Sequence, residues 1–157
     1  MSTKLTLTFA FAASLLLLAA CGHAGPSGPP RPSTDAGASP PSHKFIATLS
    51  GRAEPSGGAV HGAGVAVIAL HDTAQEICWR FAHLHGFTNA THAEIRRGDG
   101  RGTDPVAVAL SSGSRLHHKG CKPARPALIA TIARQPHRFY VTIDAVRFPT
   151  GAVTGPL

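Results

Sequence analysis

Ten histidines stand among 157 residues, and their sharpest arrangement is His83-Leu84-His85, with His92 further along. Alternate residues of a strand point to one face, so an H-x-H pair can offer two imidazoles to one metal ion. Copper and zinc are the natural partners of imidazole ligands. His83, His85 and His92 are therefore the candidate metal ligands, and a copper- or zinc-binding protein is one reading of the chain. The competing reading makes them strand-end and loop histidines with no ligand role, since H-x-H recurs by accident at this histidine content. His117-His118-Lys119, beside Cys121, reads as an exposed loop. His61 and His71 bracket an apolar run and mark its ends.

No nucleophile arrangement is visible. Gly-x-Ser-x-Gly is missing, and Ser111-Ser112-Gly113-Ser114 has no motif tying it to a histidine and an acid. The seven acids between residues 44 and 157 are spread singly, so only distant folding would make a glycosidase-like pair. No glycine loop for phosphate sits between a strand and a helix. The residues thus favour a binding or structural protein over an enzyme, and they imply no cofactor.

The elements that would position these side chains are short strands. Phe45, Ala47 and Leu49 alternate with Ile46, Thr48 and Ser50, and Glu54-Pro55-Ser56-Gly57-Gly58 ends that strand. Gly64 to Leu70 is a near-continuous apolar run, read as a strand with both faces partly covered. Ile77, Trp79 and Phe81 should face the core, which puts Cys78 on the opposite face or near an edge. Ala93 and Ile95 alternate with His92, Glu94 and Arg96. Gly98 to Gly102 is a turn-rich loop, and Pro105 to Leu110 is another strand. Ser111 to Pro126 is polar and reads as irregular. Leu128, Ile129 and Ile132 fit one short helix over 127–134, with Pro126 near its start and Pro136 after its end. Phe139, Val141 and Ile143 mark a strong strand. Phe148 to Gly151 reads as a turn into a last short strand, Ala152 to Thr154. The expected fold is all-β: an antiparallel Ig-like or Greek-key sandwich or barrel of seven or eight short strands with one short helix.

The formal charge is +7, carried by eleven arginines and four lysines. Apart from Arg96-Arg97 and a loose group at Arg115, Lys119, Lys122 and Arg125, the basic residues are scattered. Nucleic-acid binding needs a basic stripe and a recognisable module, and the sequence has neither. Anionic headgroups or acidic glycans are the partners such a charge suggests.

Lys4 precedes an apolar run from Leu5 to Ala20 that ends in Leu18-Ala19-Ala20-Cys21. This is the pattern of a secretory signal peptide over residues 1–20, and the run is short of the roughly 20 apolar residues that span a bilayer. The Cys after Leu-Ala-Ala resembles the lipobox of bacterial lipoproteins. That resemblance implies a diacylglyceryl group on the Cys21 thiol, cleavage before it and acylation of the new amine. Two or more acyl chains make a stable anchor. The chain would then be an exported lipoprotein on a bacterial cell membrane or outer membrane, facing periplasm or exterior. Residues 21–43 read as the lipidated Cys21 and a disordered tether rich in Pro, Gly and Ser, spanning roughly 25 Å as a coil and about 70 Å as polyproline II. Residues 44–157 make one domain. With Cys21 taken by lipid, Cys78 and Cys121 remain as an even pair in an oxidising compartment, expected to form a disulfide. Closing a loop of about 43 residues, it would contribute on the order of 4 kcal/mol.

The order of segments resembles the CHRD domain, first described in chordin and also found in bacterial exported proteins. The residues that carry it are Phe45 to Gly51, Ile77-Cys78-Trp79, Ala93 to Gly98, Phe139 to Asp144 and the ending Phe148-Pro149-Thr150-Gly151-Ala152-Val153-Thr154-Gly155-Pro156-Leu157. The resemblance implies an Ig-like β-barrel and a binding or structural role, with an envelope protein or acidic glycan as partner. The family commonly has Ala-His-Ile-His-Arg-Gly where this chain has Ala93-Glu94-Ile95-Arg96-Arg97-Gly98, and a His where it has Asp144. Glu94, Arg96 and Asp144 are therefore expected either as a charge-paired cluster on adjacent strands or as three separate solvated side chains. Phe81 to Gly86 also resembles the copper-ligand strand of copper-zinc superoxide dismutases, which makes a redox enzyme using His83 and His85 the alternative. The zinc loop and further copper ligands of that family are missing.

Overall fold

A computed structural model describes residues 40–98 and 104–157. The leader, Cys21, the tether up to residue 39 and the glycines at 100 and 102 lie outside the described residues. Among the described residues no helix is long and apolar enough to cross a membrane.

Eight antiparallel strands form a single sheet: β1 (His43–Ser50), β2 (Ala63–His71), β3 (Glu76–His85), β4 (Ala90–Arg97), β5 (Val106–Ser111), β6 (Lys119–Pro123), β7 (Phe139–Ala145) and β8 (Phe148–Pro156). Their order is β5-β4-β7-β8-β1-β2-β3-β6, which curls into a nearly closed barrel. The expected all-β fold with seven or eight strands and one helix is what the chain adopts, as a barrel made of one sheet. Side chains of one parity fill the interior: Ala47, Leu49, Ala66, Ile68, Leu70, Ile77, Ile95, Val141 and Ile143 are fully buried. Helix α1 (Pro126–Arg134) starts with Pro126, whose missing N–H costs nothing in a first turn. Its Ile129 and Ile132 join the same core.

Two sequence readings need correction. Ser111 to Pro126 is not wholly irregular, because Lys119–Pro123 is strand β6. It is a polar edge strand, paired with β3 from Glu76↔Pro123 to Arg80↔Lys119 and exposed on its open side, so it carries no alternating apolar signal. Phe148 to Gly151 is not a turn either: β8 begins at Phe148, and the turn is Val146-Arg147. Cys78 and Cys121 are disulfide-bonded as expected, on the outer face and next to the β6 edge.

The sheet's two halves meet at one paired position, Ser50↔Thr154. Gly155 makes this approach possible, since a Cβ there would run into the Thr48 carbonyl oxygen. The other side of the barrel has no ladder across β5 and β6. Lys122 reaches over instead, its Nζ donating to the Ala109 carbonyl at 2.8 Å. Gly155→Ala should therefore lower unfolding stability by about 3 kcal/mol, the upper end of ordinary overpacking costs. Urea unfolding measures it, and a variant as stable as the parent would show that β8 can draw back from β1 freely.

Candidate functional site

The outward face of β4, β7 and β8 should be wet, but it is covered. Phe139, Val141 and Ile143 point into the barrel, and Tyr140 and Thr142, on the opposite face, are also buried. The roof is the segment from Gly51 to Gly62. It folds back over β8, with the Ala59 N–H donating to the Ala152 carbonyl at 2.8 Å. Glu54, itself buried, lies against Gly151, where φ is +135° and a Cβ would meet the Glu54 carboxylate. Glycine is the residue that tolerates both constraints.

Under and beside this roof charged residues of two strands and two loops converge. Glu94 and Arg96 alternate along β4, and Glu94 pairs with Thr142 of β7. Arg96 Nη2 lies 2.8 Å from Glu94 Oε2. That contact lacks the alignment of a hydrogen bond, and Arg96 Nε is likewise buried without a partner among the described residues. Arg96 Nη1 donates to the Asp104 carbonyl at 3.0 Å. The Tyr140 hydroxyl donates to Asp104 Oδ2 at 3.1 Å. Thr142 and Thr154 share a hydroxyl contact of 3.2 Å, and Thr154 donates to the Val141 carbonyl. Asp144, next on the same face of β7, completes the group.

Four of the chain's eight acids (Glu54, Glu94, Asp104 and Asp144) thus gather around one arginine, in a chain whose formal charge is +7. The electrostatic result is excess negative charge in a poorly solvated place. Burial, reinforced by the Glu94 charge, pushes the Asp144 carboxyl up to about 6. Burial also raises Glu54. Burial and the hydrogen bond to Asp104 push the Tyr140 phenol to about 12, so it stays protonated at neutral pH. A cleft of about 210 Å³ opens alongside, lined by Ala53, Gly98, His137, Tyr140, Thr154 and Pro156. Such an arrangement can hold a proton, accept hydrogen bonds and pair with a cationic group, and displaced carboxyl pKa values in a poorly solvated cluster mark a site candidate.

Of the charge-paired cluster expected of Glu94, Arg96 and Asp144, the Glu94–Arg96 pair forms, Asp144 is near enough to feel both charges without an ion pair of its own among the described residues, and the positions at which the chain departs from the common CHRD pattern share one face. Glu54, Asp104 and Tyr140 join it without a local sequence signal. The histidine reading fares differently. His83 sits at φ +54° in a β-bulge, where Ala63 and Val65 of β2 face His85 and Ala82 of β3, so the strand alternation that H-x-H needs is broken. His85 Nδ1 is engaged 2.9 Å from the His83 carbonyl oxygen. His83, His85 and His92 are exposed and do not form a three-ligand group among the described residues. His117 and His118 lie beside β3, where their carbonyls accept from Trp79 Nε1 and the Phe81 N–H.

The model of the CHRD domain family matches residues 45–157. No curated protein and no solved structure matches the chain.

A carboxyl whose pKa rises on folding, here from 3.8 to about 6, holds its proton more tightly in the folded state. Its contribution to stability is present below the unfolded value and is lost as pH rises through about 6. Asp144→Asn should raise stability at neutral pH by about 1 kcal/mol, a figure reduced for the solvent that still reaches the carboxyl. It should also flatten the stability curve across that window. Urea unfolding at several pH values measures both, and an unchanged slope would show that Asp144 is not held in this environment.

Proposed function

The chain belongs to the CHRD domain family, and from that membership we propose that it is a lipid-anchored protein of the bacterial cell envelope whose domain acts as a non-catalytic binding or structural module. The observation that carries the anchor is Cys21, directly after Leu18-Ala19-Ala20 at the end of an apolar run. The 20 residues from Gly22 to Pro41, rich in Pro, Gly and Ser, would give the domain reach from the membrane. The disulfide agrees with an oxidising compartment.

The module's partner is an envelope protein or an acidic glycan. A glycan would meet the scattered arginines, and such binding would weaken steeply with salt. A protein partner would bring a cationic group to the acidic face of Glu54, Glu94 and Asp144, where burial strengthens charge pairing. Fold alone fixes neither choice.

Expression of the full chain in a bacterial host with labelled palmitate tests the anchor. The parent should take up label and partition into the detergent phase. Cys21→Ser should lose both and still form the Cys78–Cys121 disulfide. Equal labelling of the two chains would remove the anchor from this reading.

A further inference from the structure

The outer face of the β2–β3 hairpin carries a second group of side chains, separate from the acidic cluster. His71 closes β2 and pairs with Glu76 at the start of β3. Cys78 lies two residues along β3, and Cys121 faces it from β6. All four side chains share the face opposite Leu70 and Ile77. A ligand atom from each of His71, Glu76 and Cys78 lies within 4.8 Å of the others, and Cys121, bonded to Cys78, stands outside that group and has to swing toward it once the S–S bond is broken. Cys78 Sγ is 3.7 Å from Glu76 Oε1, a contact and not a hydrogen bond, because a disulfide sulfur carries no proton.

His71 is the informative member. It is only 9% exposed, and its ring nitrogens are not among the buried polar atoms that lack a partner, so they keep access to the surface. An imidazole held beside two other ligand atoms, with its nitrogens open to the surface, is placed to take up a metal ion. While the disulfide is intact the sulfurs have no thiolate to offer, and the group holds only one imidazole and one carboxylate.

We propose that reduction of the Cys78–Cys121 disulfide converts this face into a four-ligand zinc site made of His71, Glu76, Cys78 and Cys121. Two thiolates, an imidazole and a carboxylate are a tetrahedral zinc donor set. The reductant is a dithiol. One of its thiolates attacks Cys121 Sγ, the more exposed sulfur. The S–S bond breaks, a mixed disulfide forms, and Cys78 leaves as thiolate. The second reductant thiol resolves the mixed disulfide, freeing Cys121 and leaving the reductant as a disulfide. Two electrons have passed to the protein sulfurs. Zinc then binds both sulfurs as thiolates, and their two protons go to solvent. β6 can shift to let the sulfurs separate, since it is an edge strand paired only with β3.

The test uses the full chain in detergent, with Cys21→Ser so that only this pair can supply thiolates. After reduction by a phosphine and its removal, Co²⁺ is titrated anaerobically and then displaced by Zn²⁺. The expected result is saturation at one ion per chain, with a thiolate-to-cobalt charge-transfer band and tetrahedral d–d bands that zinc abolishes. The oxidised chain should show neither. His71→Ala should weaken binding by at least about 100-fold, more than a lost outer-shell partner costs. His83→Ala/His85→Ala should bind as the parent does. No uptake by the reduced chain, equal uptake by the oxidised chain, or uptake unaffected by His71→Ala would each overturn the proposal. Far-ultraviolet circular dichroism covers the case in which reduction unfolds the chain. Zinc should then restore the strand signal, and failure to restore it overturns the proposal equally.

Discussion

Everything in this domain depends on the close backbone approach of β8 to β1. Only Ser50 and Thr154 pair across that join, yet it unites β5-β4-β7-β8 with β1-β2-β3-β6 as one sheet. A glycine at 155 permits it, because any side chain would occupy the space of the Thr48 carbonyl. Once joined, the halves enclose a common interior, and the apolar side of each strand finds its partners there. On the far side the barrel stays open between β5 and β6, bridged by the Lys122 side chain and not by a ladder. An open seam leaves β6 with one neighbour and the outer face of the disulfide accessible.

The join also brings the roof into place. The segment from Gly51 to Gly62 leaves β1 where β8 passes, and it can hardly avoid lying over the outer face of β8. Tyr140, Thr142, Thr154 and Glu54 are buried as a consequence. Hydroxyls meet this situation by bonding one another and backbone carbonyls. Asp104 accepts from the Tyr140 hydroxyl and Glu54 from the Ser56 N–H, yet Arg96 balances only part of the carboxylate charge. Desolvation of such groups usually exceeds what their mutual attraction returns. The fold therefore tolerates an electrostatic cost on this face, a local conflict of the kind proteins keep at sites of function.

Much of the architecture was legible locally. Period-two runs identified β1, β3, β4 and β7, a near-continuous apolar run identified β2, the stretch after the Gly98–Gly102 loop identified β5, and Pro126 with the spacing of Leu128, Ile129 and Ile132 identified the helix. The parity of the cysteines pointed to the pair that bonds. β6 was not legible, because Lys-Gly-Cys-Lys-Pro has no apolar alternation and becomes a strand only by pairing with β3. The first half of β8 was hidden by Pro149 and Gly151, which read as turn residues. In the acidic cluster, Glu94, Arg96 and Asp144 stood out as departures from a family pattern, whereas Glu54 and Asp104 come from loops with no periodicity to place them.

The sequence by itself determined which faces of the strands are apolar, where the chain turns, which cysteines are available to pair and what class of fold must follow. Those properties belong to single residues and to neighbours a few positions apart. Which charges share an environment was decided only by tertiary structure. His83 and His85 show the difference most plainly: their spacing promised one face, and a bulge against β2 withdrew it. Conversely, His71, Glu76, Cys78 and Cys121 meet because strand register, not sequence distance, sets which side chains are neighbours across a sheet.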